Sequence, residues 1–175
     1  MRRHRSERGA ALAEFAICFP VFMLLMLAVV DMGVNYGDGV ETEHAAEAAA
    51  HAGAVAKPGD DATCDLVPDG TLARPTRRLI CLAKAGTHLD AHKVRVRVVH
   101  GDDDHTVVVC VQSRADSVSG MLGPLLDGKV HEARSAATTD LPSGASAPST
   151  GGEQALGGHD WSFCRVDGPE GTDTA

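Results

Sequence analysis

The chain has 175 residues, 24 of them acidic against 16 basic, and a formal net charge of −8. That length admits one membrane segment and one small domain with a tail, and it excludes a large enzyme. The acidic balance argues against nucleic acid as a partner.

Residues 1–9 form a basic leader, in which Arg2, Arg3, Arg5 and Arg8 stand against Glu7 alone. Residues 10–30, from Ala10 to Val30, are apolar except for a single carboxylate, Glu14. As a helix this run would extend roughly 32 Å, about the thickness of a hydrocarbon core, so it predicts a transmembrane helix. Beyond Val30 there are 22 acidic residues against 12 basic. The positive-inside rule therefore predicts a single pass through the cytoplasmic membrane, with the N-terminus in the cytoplasm and the C-terminal domain extracytoplasmic. A removable signal peptide is the rival, because Ala54-Val55-Ala56 resembles a small-residue cleavage site. That site lies far downstream, and the apolar run exceeds the roughly 7–15 residues of such peptides, so a retained anchor is expected. Pro20 removes a backbone donor inside the run and predicts a helix kink.

Residues 31–56 read as a helical stalk. Asp31, Gly33, Asn35, Gly37, Asp38 and Gly39 mark the exit into headgroups and water, and Val40 to Ala56 is rich in alanine, the best helix former. Its small apolar side chains suit close packing against another helix better than building a core of its own, and Lys57-Pro58-Gly59 ends it. His44, Glu47 and His51 share one helical face at ligand-like spacing. Glu41 and Glu43 continue that polar character and no second ligand helix is evident, so a solvated stripe is expected and no metal is assigned.

Residues 57–140 predict a small extracytoplasmic α+β domain. Pro68-Asp69-Gly70 signals a turn, and Leu79 to Ala83 is compatible with helix or strand. Val94, Val96 and Val98 alternate with Arg95 and Arg97, and Thr106 to Val111 is a β-branched run, which together predict an antiparallel β-hairpin. Its connection contains Asp102, Asp103 and Asp104, whose spacing lacks the alternation of a calcium loop and suits a solvated tip. Ser117 to Gly128 is expected as a loop or short helix, and Lys129 to Thr139 as a third strand in spite of its alanines. Residues 141–175 are dominated by Pro, Ser, Gly, Thr and Ala and predict a largely disordered tail. Trp161-Ser162-Phe163-Cys164 interrupts it as an island suited to docking back through a Cys164 bridge.

Cys18 lies in the membrane run, whereas Cys64, Cys81, Cys110 and Cys164 all fall on the expected outer side, an even set that permits two disulfides. Three connectivities are possible; the nearest pair, Cys64 and Cys81, is preferred, and such a loop would contribute roughly 3 kcal/mol in the chain-entropy model. With no CxxC pair, zinc is disfavoured. Nothing resembles a nucleophile elbow, a phosphate loop or a zinc-protease helix, so neither an enzyme nor a cofactor is expected.

Glu14 carries the functional argument. A charge inside a membrane segment costs on the order of 2.5–3.5 kcal/mol at the centre and less near the ends, so this side chain needs a partner. Gly9 to Phe15 reads Gly-Ala-Ala-Leu-Ala-Glu-Phe, a glycine, four residues, then glutamate and an aromatic. This resembles the cleavage site of type IVb prepilins. The continuation through Pro20 and Asp31-Met32-Gly33 is similar to TadE-like pseudopilins of the tight-adherence (Flp) pilus system. The resemblance spans about residues 8–56. It implies a membrane prepilin peptidase that cuts between Gly9 and Ala10, making Ala10 the new N-terminus. Glu14 would then be the assembly carboxylate, one turn from that amine and available to the amine of a neighbouring subunit. Phe15 would be the motif aromatic, with Phe19 and Phe22 on the packing surface. The implied partners are the peptidase, other Tad pilus components and pseudopilins, and the lipid bilayer. The alternative is an uncleaved, single-pass envelope protein whose outer domain binds a ligand or partner.

Overall fold

The computed structural model describes residues 4–55, 72, 74–101, 106–126, 128–138 and 150–166, with backbone alone for 4–10. A long N-terminal apolar helix leads into a small antiparallel sheet domain of mixed helix and strand content. The chain divides into two compact units, Met1–Tyr36 with Asp116–Asp127, and Gly37–Ala115 with Gly128–Ala175. The alanine-rich residues of the long helix, Ala45 to Ala50, fall in the second unit.

The first unit holds most of helix α1 (His4–Ala54) and the short helix α3 (Gly123–Leu126). α1 runs through Pro20 and through Gly33, Gly37 and Gly39 as one continuous helix, so the membrane run and the alanine-rich stalk are a single element. From Ala11 to Leu27 every residue is exposed, including Leu12, Ile17, Val21 and Leu25. Such a surface is costly in water and favourable in lipid or against another apolar helix. Among the described residues, one helix is long and apolar enough to cross a membrane.

The second unit is built on a four-stranded sheet of order β3-β2-β1-β4, from β1 (Val94–His100), β2 (Thr106–Arg114), β3 (Val130–Thr138) and β4 (Gly151–Gly152). All neighbours are antiparallel. The alternation of Val94, Val96 and Val98 with Arg95 and Arg97 sends the valines to one face, as period-two geometry requires. β1 and β2 make the expected hairpin, pairing Val96 with Val111 and Val98 with Val109; its tip, Asp102 to Asp104, lies outside the described residues. β3 adds Ala133 opposite Val111 and Ala137 opposite Val107, so the third strand forms where it was expected.

That valine face meets the C-terminal part of α1 and helix α2 (Arg74–Ala85) in one buried cluster. Ala45, Ala46, Ala49 and Ala50 supply the α1 surface, and Leu79, Ile80 and Ala83 supply that of α2. Alanine is right here because a helix carrying only methyl groups can lie close to a sheet whose own side chains fill the gap. Each buried valine contributes about 1.5–3 kcal/mol of hydrophobic stabilisation. The Leu79–Ala83 run is helical, and its helical period is what buries Thr76, Leu79, Ile80, Ala83 and Lys84 together.

The opposite face of the sheet is covered by residues 150–166, which fold although the composition of 141–175 predicts a disordered tail. Trp161, Phe163 and Val166 pack on Val108, Cys110 and Val99, and the two aromatic rings lie 5.8 Å apart. Cys110 and Cys164 are joined by a disulfide across 54 positions. Gln112, fully buried, ties the layer to the sheet: its Nε2 donates to the Asp160 carbonyl at 2.8 Å, and its Oε1 accepts from the Leu156 amide at 3.2 Å. Hydrogen bonds from Ser162 hold the Asp160 carboxyl below its ordinary range and fix the turn before Cys164. Gly152 admits no side chain, since a Cβ there would lie 2.6 Å from the Arg97 Cα and 2.7 Å from the Val96 carbonyl oxygen.

Candidate assembly site

The residues singled out by the cleavage-like pattern all lie on α1. Gly9 and Ala10 are in helical backbone. Glu14 is exposed on the helix four positions after Ala10, a separation of about 6 Å along the axis. Phe15 is 62% exposed, and its ring lies 5.3 Å from that of Phe19, as expected for an i, i+4 pair on one face. Phe22 is exposed as well, and Cys18 is a free, exposed thiol. Acid and aromatics thus occupy the outside of the helix, where a second apolar helix or lipid would meet them, and Pro20 sits within the same stretch.

At the other end of the apolar run, Asp31 has its own partners within the same unit. Ser117 Oγ and Ser119 Oγ each donate to its Oδ2 at 2.6 Å, and the Ser119 amide donates to Oδ1 at 2.9 Å. Its side chain is fully shielded by this arrangement. Gly120, at φ 75°, turns the chain immediately afterwards, a conformation that glycine adopts without steric cost. Sequence reasoning placed Asp31 only as a marker of the exit into headgroups and water; the signal available was a lone acid bordering an apolar run, which requires acceptor satisfaction from somewhere.

In the sheet unit the structure forms an ion pair that the sequence did not reveal. Lys84 Nζ lies 2.6 Å from Glu153 Oε1, with side-chain exposures of 3% and 16%. The other carboxylate oxygen of Glu153 accepts from the Val96 amide at 3.1 Å, and its backbone carbonyl accepts from Trp161 Nε1 at 3.1 Å. This residue therefore connects α2, β1 and the C-terminal layer. Of the four cysteines after the apolar run, Cys110 pairs with Cys164, Cys81 is disulfide-bonded, and Cys64, its preferred partner, lies outside the described residues. His44, Glu47 and His51 are exposed, and no group of three or more His, Cys, Asp or Glu suited to a metal occurs among the described residues.

The helix carrying the Gly9–Phe15 pattern is the part of the chain that is similar to a known family. Residues 9–54 match the family model described as TadE-like protein. The TadE-like match ends at Ala54, the last residue of α1, so the matched signature is this helix from Gly9 onward. The match is consistent with a TadE-like protein of the Tad pilus system, and a single candidate membrane helix near the N-terminus fits a single-pass membrane protein. The sheet with its C-terminal layer falls outside the TadE-like span. Comparison with curated proteins and with solved structures gives no match.

Proposed function

We propose that this chain is a minor pseudopilin of the TadE-like kind, matured by a prepilin peptidase between Gly9 and Ala10 and acting in Tad/Flp-type pilus assembly at the cell envelope. It is a structural component and catalyses nothing itself. The N-terminus faces the cytoplasm and the sheet domain lies on the extracytoplasmic side. The observation that carries this reading is the exposed Glu14 on an otherwise apolar helix surface, inside the TadE-like match.

An isolated carboxylate near the end of a membrane helix is unfavourable, and a cation in the same low-dielectric layer relieves it. Cleavage after Gly9 creates such a cation, the α-amine of Ala10. On its own subunit that amine lies one turn from Glu14; on a neighbour it can meet Glu14 directly as the helices pack side by side. Charge neutralisation then couples association to maturation, because only a processed neighbour brings the amine to the right depth. Phe15, Phe19 and Phe22 supply apolar contact around the pair.

Co-expression of the full chain with its cognate prepilin peptidase, followed by N-terminal sequencing of membrane-extracted protein, tests the assignment. A mature N-terminus at Ala10 is expected. A terminus at Met1 or Arg2 would overturn it and leave an uncleaved anchored envelope protein.

A further inference from the structure

Between Asp116 and Asp127 the chain carries ten consecutive uncharged residues, Ser117 to Leu126, in a protein whose charged fraction is 23%. The uncharged stretch Leu141 to Gly152 is made of small and polar residues apart from Leu141 and its prolines, whereas this one carries Val118, Met121, Leu122, Leu125 and Leu126. Apart from Ser119, the exposed side chains here are apolar: Val118 is 68% exposed, Leu125 66% and Met121 40%. Pro124 is exposed beside them. The loop is not free to choose its depth, because its Ser117 and Ser119 are hydrogen-bonded to Asp31, the residue directly after the apolar run. With Ala10 to Val30 spanning a hydrocarbon core of about 30 Å, Asp31 sits at the boundary between acyl chains and headgroups.

We propose that Ser117–Leu126 is an interfacial membrane-binding loop, strapped by Asp31 to the end of the anchor helix so that Val118, Met121 and Leu125 enter the adjoining lipid leaflet. This rests on the reading of Ala10–Val30 as a bilayer-spanning segment. The occupant is the phospholipid interface because the loop is fixed to the residue at which the lipid-facing band of α1 ends. Met32 and Tyr36, both largely exposed on the following turn and a half of helix, extend the same amphipathic collar. The hydroxyls of Ser117 and Ser119 are turned inward onto the carboxylate, which leaves the apolar side chains to face outward. Since the loop has no charge, its attachment depends on apolar burial and not on anionic lipid.

The test uses the full chain in nanodiscs of neutral phosphatidylcholine, with an environment-sensitive fluorophore on a thiol and a doxyl quencher on the lipid near the headgroup. One sample carries the label on native Cys18; a second carries it on Leu125→Cys in a Cys18→Ala background; a third adds Asp31→Ala to the second. The expected result is blue-shifted emission and at least about twofold quenching at position 125, with at least about half of that quenching lost on Asp31→Ala. Water-like, unquenched emission at 125 with a lipid-buried Cys18 label would overturn the loop assignment and leave the anchor intact. A blue-shifted but unquenched label would place protein, such as a second copy, against the loop and overturn the lipid assignment. Quenching at 125 that Asp31→Ala leaves unchanged would overturn the strap. Water-like emission at both positions would overturn the anchor reading together with this one.

Discussion

Asp31 and Ser119 are held together twice, by the serine hydroxyl at 2.6 Å and by its backbone amide at 2.9 Å, across 88 positions of sequence. A carboxylate that accepts three donors and is closed off from its surroundings is the kind of buried polar group that stabilises when complete and destabilises when one partner is removed. Asp31→Ala is therefore expected to free the Ser117–Leu122 segment while leaving the sheet unit folded. Hydrogen exchange at the Ser119 amide should accelerate at least about tenfold, and exchange in β1 and β2 should be unchanged. Equal protection in wild type and variant would show that the clasp does not order the loop.

Glu153 and Lys84 make a buried pair in which the lysine has little access to water. Removal of the acid by Glu153→Ala leaves the ammonium uncompensated and deprives the Val96 amide of its acceptor, so a loss of about 3 kcal/mol is expected. The double variant Lys84→Met with Glu153→Ala should recover part of that loss, because a buried apolar side chain needs no counter-charge. Denaturant titration of the detergent-solubilised chain measures both. A double variant no better than the single one would locate the effect in the Val96 bond and not in the charge.

The Cys110–Cys164 bridge closes a long loop and fastens the aromatic layer over the sheet. Cys164→Ser is expected to lower stability by about 2–4 kcal/mol and to shift Trp161 emission toward the red as residues 150–166 loosen. Tryptophan fluorescence read through a urea titration follows both effects. Unaltered Trp161 emission would mean that Gln112 and Glu153 suffice to hold the layer.

Glu14→Ala removes the only acid of the apolar run and with it the charge complement offered to a neighbour. Recovery of other pilus components with the affinity-tagged chain from envelopes is expected to fall at least about tenfold, without loss of membrane insertion or of cleavage after Gly9. Unchanged recovery would remove charge pairing from the assembly model.

The features that could be read directly from the chain are those whose physical cause is local and repeats. An unbroken apolar run sets a length that matches a bilayer, and alternation at Val94, Val96 and Val98 fixes which face of a strand is buried. A glycine followed at five by a glutamate at the start of that run pointed to the TadE-like helix, since the charge is conspicuous only against its apolar neighbours. The helix runs on through Gly33, Gly37 and Gly39 because each glycine costs only about 1 kcal/mol of propensity. Leu79 to Ala83 was ambiguous, being too short for its period to show until burial on the valine face selected the helix.

What only the tertiary structure decided are the pairings between distant residues. Nothing periodic links Cys110 to Cys164, Lys84 to Glu153, or Asp31 to Ser117 and Ser119. Composition assigned 141–175 to a largely disordered tail, because its glycines and small polar residues signal a chain that cannot build a core, and only Trp161 to Cys164 stood out as an island suited to docking back. Residues 150–166 fold by borrowing a core: Trp161 and Phe163 cover a sheet face already present, Gln112 satisfies the Leu156 amide and the Asp160 carbonyl, and the Glu153 carbonyl accepts from the Trp161 indole. Secondary structure follows from spacing along the chain, whereas these contacts follow from which polar groups lose water when the surfaces close, and that is known only once the surfaces are in place.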